Sequence, residues 1–280
     1  MARAADHLVA LGAMLGKNVR VAFRYPVNVA SRILRLLVML PLFFLGIAMF
    51  WDGGLPGLVA SEHGQQLVGV SIYGFVIYQF TADSLWMIGH YIRQEQIEGT
   101  FESLHLSPAN RTVYLLARFI EPIVLSGINS LVAVTVVSVA FVPPPMSNLG
   151  PAFVALACTL AGVFGLGCAF AALTLLIHES AQAMAGVVQF ALLVLCSMLV
   201  PFHSLPPLLR TVSECIPLSY CVDLFRSAMM GYPAGYPELA PVTTELVIVA
   251  LWGVGMPLLG LWLYHRAECY ARIHGLLGRF

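Results

Sequence analysis

Charge is what this sequence has least of. Its 280 residues hold 14 Lys and Arg and 14 Asp and Glu, so 10% are charged and 59% are hydrophobic. A soluble domain averages roughly 25% charged residues. With a mean hydropathy of +0.86, the chain carries more apolar surface than one water-soluble core can hide. The expected class is all-α and polytopic, because only helices and closed barrels satisfy their backbones in lipid.

Other absences exclude chemistry. The six cysteines, Cys158, Cys168, Cys196, Cys215, Cys221 and Cys269, form no CxxC pair, which removes zinc ribbons and redox motifs. Most are read as small buried hydrophobes. Cys215 and Cys221 are the exception, because they share an outer segment where Pro217 could bend the chain enough to bond them. "GAMLGKN" (Gly12 to Asn18) looks like a phosphate loop. It has three residues between its glycines instead of four, and Asn18 where Ser or Thr would meet magnesium. "HES" at 178–180 lacks the second histidine of a zinc-protease helix, and the eight histidines show no paired ligand spacing. No serine sits in a nucleophile elbow. The chain is read as non-catalytic, with no metal. The basic residues scattered over positions 1–30 argue against a secretory signal.

Six apolar segments are long enough to span: 34–51, 67–89, 113–142, 153–177, 184–202 and 246–264. Twelve of the fourteen Lys and Arg then fall on one side of the bilayer; the exceptions are Arg210 and Arg226. The positive-inside rule makes that side cytoplasmic and puts both termini there. Ahead of the first span, Leu8, Leu11, Leu15, Val19 and Phe23 recur at helical spacing opposite Lys17, Arg20 and Arg24. Residues 1–32 are therefore expected to form an amphipathic interfacial helix. Residues 203–240, too apolar for a free loop and too rich in proline to span, are expected to form short re-entrant helices in the outer leaflet.

The second-to-third loop, "RQEQIEGTFESLHLSP" (Arg93 to Pro108), is an acidic island. Glu95, Glu98 and Glu102 fall at steps of three and four, one face of one helix over 92–106. Ile97, Phe101, Leu104 and Leu106 can seat the other faces. Within the third span, Arg118 and Glu121 are three apart and can pair as an intramembrane polar couple. Asp83 sits late in the second span as a helix-end polar residue.

Four stretches together resemble a known family. They are "EQIEGTFESLHLSPANR" (Glu95 to Arg111), "HESAQAMAGVVQF" (His178 to Phe190), "PFHSLPPLLRTVSECIPLSYCVDLFRSAMMG" (Pro201 to Gly231) and the basic amphipathic N-terminus. In order and spacing they are similar to the permease subunits of ABC transporters, of the type-2 exporter class that moves drugs, lipids and polysaccharides. Phe101 stands where that family often has Leu, and no Gly precedes "PFHSLPP".

The resemblance implies a single transmembrane domain over 1–280 that pairs with a second permease as homodimer or heterodimer. It also implies two separate nucleotide-binding subunits carrying ATP and magnesium, since this chain has no Walker motif, and no nucleic-acid partner. The coupling helix would use Arg93, Glu95, Glu98, Gly99, Thr100, Phe101 and Glu102. The path would run between the permeases along spans two and five, with Phe75, Tyr78, Phe80, Met184, Phe190 and Met198 as adaptable apolar surface. The implied cargo is a hydrophobic or amphiphilic drug, natural product or lipid, carried across a bacterial-type inner membrane. Polysaccharide export is the alternative, and a non-ABC secondary transporter a more distant one. Replacing both Glu98 and Glu102 by Lys should uncouple ATP hydrolysis from transport in vesicles. Unchanged transport by that double variant would dispose of the coupling role.

Overall fold

The computed structural model describes residues 26–97, 111–141, 143–177 and 180–273, and these are helical with no strand among them. Helix α1 (Pro26–Met49) starts at a proline, whose fixed φ and missing N–H suit a first helical position. A short helix α2 (Gly54–Ala60) follows after glycines at φ 85 and 63. The longest helix, α3 (Glu62–Ile97), leads to α4 (Arg111–Ala140), α5 (Leu149–Ile177) and α6 (Ser180–Leu195). Two shorter helices, α7 (Pro207–Glu214) and α8 (Pro217–Met230), each again opened by a proline, precede the final α9 (Val242–Ile273). The interfacial helix expected over 1–32 falls outside the described residues as far as residue 25; residues 26–32 already belong to α1.

Among the described residues, three helices are long and apolar enough to cross a membrane: Arg118–Ala140, Leu149–Ile177 and Val242–Ala271. A fourth crossing is possible if Ile33–Met49 and Gly54–Ala60, bent by 96° at their junction, count together. That is fewer than the six segments expected. Helix α3 falls short because its middle carries Ser71, Gln79, Thr81, Asp83 and Ser84, most of them turned inward. Helix α6 falls short in length: it stops at Leu195, before a run of turns over 196–200. The described surface is apolar in long stripes, with Leu251, Val254, Leu258 and Trp262 exposed along α9 and Leu34, Val38, Leu42 and Leu45 along α1. Stripes of that extent need lipid or protein to cover them. The chain is an integral membrane protein.

The central helix is α5, whose glycines meet α9 in a close seam. A Cβ at Gly165 would overlap the backbone of Met256 and Pro257, one at Gly162 the Trp252 indole, and one at Gly260 the Gly165 carbonyl. With no hydrophobic drive between helices inside lipid, such close backbone approach is what holds α5 to α9. Hydroxyls in these helices close on their own turns: Thr81, Thr159 and Thr174 donate to the carbonyls of Ile77, Ala155 and Phe170. The glycine seam predicts an unequal pair of variants. Gly165→Ala should lower the thermal midpoint in detergent, by an overpacking cost of about 1–3 kcal/mol. Gly255→Ala, where nothing lies within 4 Å, should stay within about 1 kcal/mol of the parent.

Candidate functional site

Helix α1 leans on α2 and α4, and a cavity of about 820 Å³ opens between α1 and α3, backed by α4 and α6. Its α3 wall is one helical stripe, Ser71, Phe75, Tyr78, Gln79, Ala82, Asp83 and Trp86, recurring at steps of three and four. Helix α1 contributes Phe43 and Phe44 toward one end, and Ser31 and Arg35 toward the other. The site is therefore graded along the bundle axis, aromatic at the end near α2 and polar at the opposite end.

Two hydrogen-bond networks fix the polar wall. The Gln189 amide of α6 bridges two residues of α3. It accepts from the Trp86 indole N–H and donates from Nε2 to the Tyr78 hydroxyl at 2.6 Å. Indole can only donate, so it is the amide oxygen that faces Trp86. In the second network, Asp83 Oδ2 accepts from Ser126 Oγ of α4 at 2.6 Å and from Gln79 Nε2 at 3.1 Å. Three helices are thus tied by side chains that also present polar groups to the cavity.

At its α2 end the cavity meets Leu199, in the turns after α6. Those turns are held by a buried ionic hub. Arg226 and Asp223, one turn apart on α8, are both fully buried, with Nε 3.3 Å from Oδ1. Arg226 Nη1 donates to the carbonyls of Ser197 and Val200 at 3.4 and 3.2 Å, and Nη2 to Glu238 Oε1 at 3.2 Å. Its guanidinium lies 4.5 Å over the Phe202 ring. Asp223 Oδ2 accepts from the backbone N–H of Glu238 and Leu239 at 2.7 and 2.9 Å. Glu238 Oε2 in turn lies 2.7 Å from the His203 N–H and 3.0 Å from its Nδ1. Burial, and then the Glu238 carboxylate, push the neighbouring Tyr236 phenol up to about 12, which keeps it neutral. The hub welds three segments: α8, the turns 196–202, and the loop 232–241.

Of the residues named for the path, Phe75 and Tyr78 line the cavity. Phe80 is buried in the main core, about 140° round α3 from Phe75. Met184 and Phe190 are exposed on α6, and Met198 lies past the end of α6, fully buried. Arg118 sits 4.7 Å from the Tyr91 ring; the Glu121 side chain is outside the described residues. Arg93 and Glu95 fall in the last turns of α3, with side chains outside the described set. Glu98, Gly99, Thr100, Phe101 and Glu102 lie outside it altogether. Cys215 is exposed at the end of α7 and Cys221 is buried in α8, and both thiols are free. Sequence reasoning missed Gln189, Trp86 and Ser126, although Gln79, Asp83 and Trp86 at steps of four and three were a legible polar stripe. It quoted the Asp and Arg of the proline-rich motif without giving them a partner. Glu238 and His203 carried no local signal.

These features define a class, an all-helical membrane protein with a graded cavity among its helices and a buried ionic hub at one end. The chain belongs to the ABC-2 type transporter family, which matches residues 9–230, and is the permease component of an ABC transporter. A comparison with curated proteins gave no match. The hub predicts that Arg226→Leu, which strands Asp223 and Glu238, costs roughly 3–5 kcal/mol of stability. Thermal unfolding in detergent checks this, and Glu238→Gln, which leaves Arg226 its partner Asp223, should cost less.

Proposed function

We propose that the chain is the membrane half of an ATP-driven exporter for a hydrophobic or amphiphilic small molecule, a drug, natural product or lipid taken from the cytoplasm or inner leaflet. The observation that carries this reading is the graded cavity. About 820 Å³ is the volume of a site for one small molecule. Aromatic rings at one end and amide, hydroxyl and carboxylate groups at the other suit an apolar body with a polar head. A polymer such as a polysaccharide needs a continuous, wider channel.

In this reading all six segments cross the bilayer. α3 does so with its polar stripe turned to the cavity, where intramembrane polar groups belong, and α6 ends within the outer leaflet. Helices α7 and α8 form a re-entrant lid, and both termini face the cytoplasm of a bacterial-type inner membrane. Two permeases pair across the path. Each rests on a nucleotide-binding subunit that holds ATP and magnesium, through a coupling helix at 92–106. The acidic face of that helix supplies the ion pairs of the contact, and Ile97, Phe101 and the leucines its anchor.

The test is to purify the permease with its nucleotide-binding partner, reconstitute the complex and measure ATP hydrolysis against a panel of candidate cargoes. Saturable stimulation by amphiphiles of drug size, weakened several-fold by Gln189→Leu, is the expected outcome. Stimulation by sugar polymers alone would replace this reading with the polysaccharide one.

A further inference from the structure

Among the described residues, every arginine but one has its charge met by this chain. Arg226 sits in the ionic hub. Arg210 pairs with Glu214 at 3.4 Å. The guanidinium groups of Arg118 and Arg266 lie over the rings of Tyr91 and Trp262, at 4.7 and 5.6 Å. Arg35 of α1 is exposed, lines the polar end of the cavity, and has no hydrogen bond or ion pair among the described residues. The Asp83 carboxylate lines the α3 wall of the same cavity, yet no ion pair joins it to Arg35; its Oδ2 is held by Ser126 and Gln79. A second donor is idle there. Asn129 of α4 lines the cavity at 4% exposure, and its amide has no hydrogen bond among the described residues. The amides of Gln189 and Gln79, by contrast, are already engaged within the wall. The cavity thus keeps two unspent donor groups, and one of them carries a charge that deprotonation cannot remove.

We propose that the cavity takes an acidic amphiphile, whose phosphate or carboxylate head is bound by Arg35 and whose apolar body reaches Phe43 and Phe44. The proposal rests on the reading of the cavity as the cargo path, and it narrows the cargo. A ligand that fills the cavity displaces water from the guanidinium, which then needs acceptors on the ligand itself. The planar fork of arginine fits two oxygens of a phosphate or carboxylate at once. A neutral head leaves that charge unmatched, and a cationic head is repelled by it. Arg35 and Phe43 are about 12 Å apart along the α1 axis, so one molecule of lipid or drug size spans from the charged end to the aromatic end. Asn129 is the donor for a carbonyl or bridging oxygen behind the head. Asp83 keeps the head on the α1 side, since a second anion beside that carboxylate is repelled. In the topology proposed above, Arg35 stands at the cytoplasmic start of the first span, the depth of the inner-leaflet headgroups. A cargo taken from that leaflet arrives with its head already level with Arg35.

The test uses the permease reconstituted with its ATPase partner in phosphatidylcholine vesicles. ATP hydrolysis is titrated with dodecyl phosphate, dodecyl maltoside and dodecyltrimethylammonium, each below its solubilising concentration. These compounds share one tail and differ in the charge of the head. In the parent, half-saturation by dodecyl phosphate should come about tenfold below that by dodecyltrimethylammonium, the effect of one charge-assisted hydrogen bond. Arg35→Gln should raise the dodecyl phosphate value about tenfold more than the dodecyl maltoside value. Arg35→Lys, which keeps the charge and loses the fork, should fall between. Inorganic phosphate in excess, a head without a tail, should leave half-saturation by dodecyl phosphate unmoved; displacement would make this a free-phosphate site and overturn the amphiphile assignment. A head preference that survives Arg35→Gln unchanged would come from partition into the bilayer and would overturn the proposal. Should Arg35→Gln fail to assemble, Arg35→Lys and the order of the heads in the parent decide. Equal stimulation by all the heads would overturn this inference and leave the amphiphile reading standing, whereas no stimulation by any of them would overturn both.

Discussion

A fully buried guanidinium is tolerated only with its donors satisfied, and Arg226 sets that demand for one end of this molecule. Meeting it requires Asp223 one turn back on the same helix, Glu238 from a loop that must return across α8, and two backbone carbonyls that are available only because α6 stops at Leu195. The loop in turn places its own N–H groups on Asp223. The early end of α6, the path of residues 232–241 and the burial of α8 are thus one solution to one charge. The replacement of that charge by an apolar side chain of similar size is the comparison that separates stability from specificity in such hubs.

Away from the hub the bundle divides into a tight half and a loose half. The tight half is α5 with α9, where glycines let backbones touch and leave no slack. The loose half is α1, which packs on α2 and α4 and leaves the cavity between itself and α3. Its buried side chains are apolar, Leu36, Leu40, Phe44 and Ala48. Helix α3 joins the halves: one face carries the polar networks to α4 and α6, the other packs into the core through Tyr73, Ile77 and Phe80. A permease that changes the width of its path needs such a division, with rigid backing on one side and adjustable apolar packing on the other.

Much of this was legible in the sequence, for identifiable reasons. Low charge gave the membrane class, and the order of four motifs gave the family. Prolines marked the short outer helices α7 and α8, whereas α1 begins at Pro26, inside the stretch expected to be the interfacial helix. The Phe75 and Tyr78 stripe was visible because helical period survives in an apolar background. Phe80 was grouped with them by residue type, although its position turns it into the core. Met198 was assigned to a span, but the helix ends before it. Its end at Leu195 is set by Arg226, a residue 31 positions downstream, and no local pattern carries that information. The partners of Arg226 were hidden for the same reason, since they come from segments distant in sequence, whereas the bend after α1 sits at the adjacent glycines Gly53 and Gly54.

The claim on which the rest depends is that cargo occupies the cavity between α1 and α3. Phe75→benzoylphenylalanine places a photoreactive ring in that cavity, and the same substitution at Val254 places one on the exposed face of α9. Illumination of the assembled transporter with a compound that stimulates its ATP hydrolysis should join the compound to position 75 and spare position 254. Equal capture at both positions, or capture at 254 alone, would mean that the compound reaches the chain only through the surrounding lipid, and would contradict the account.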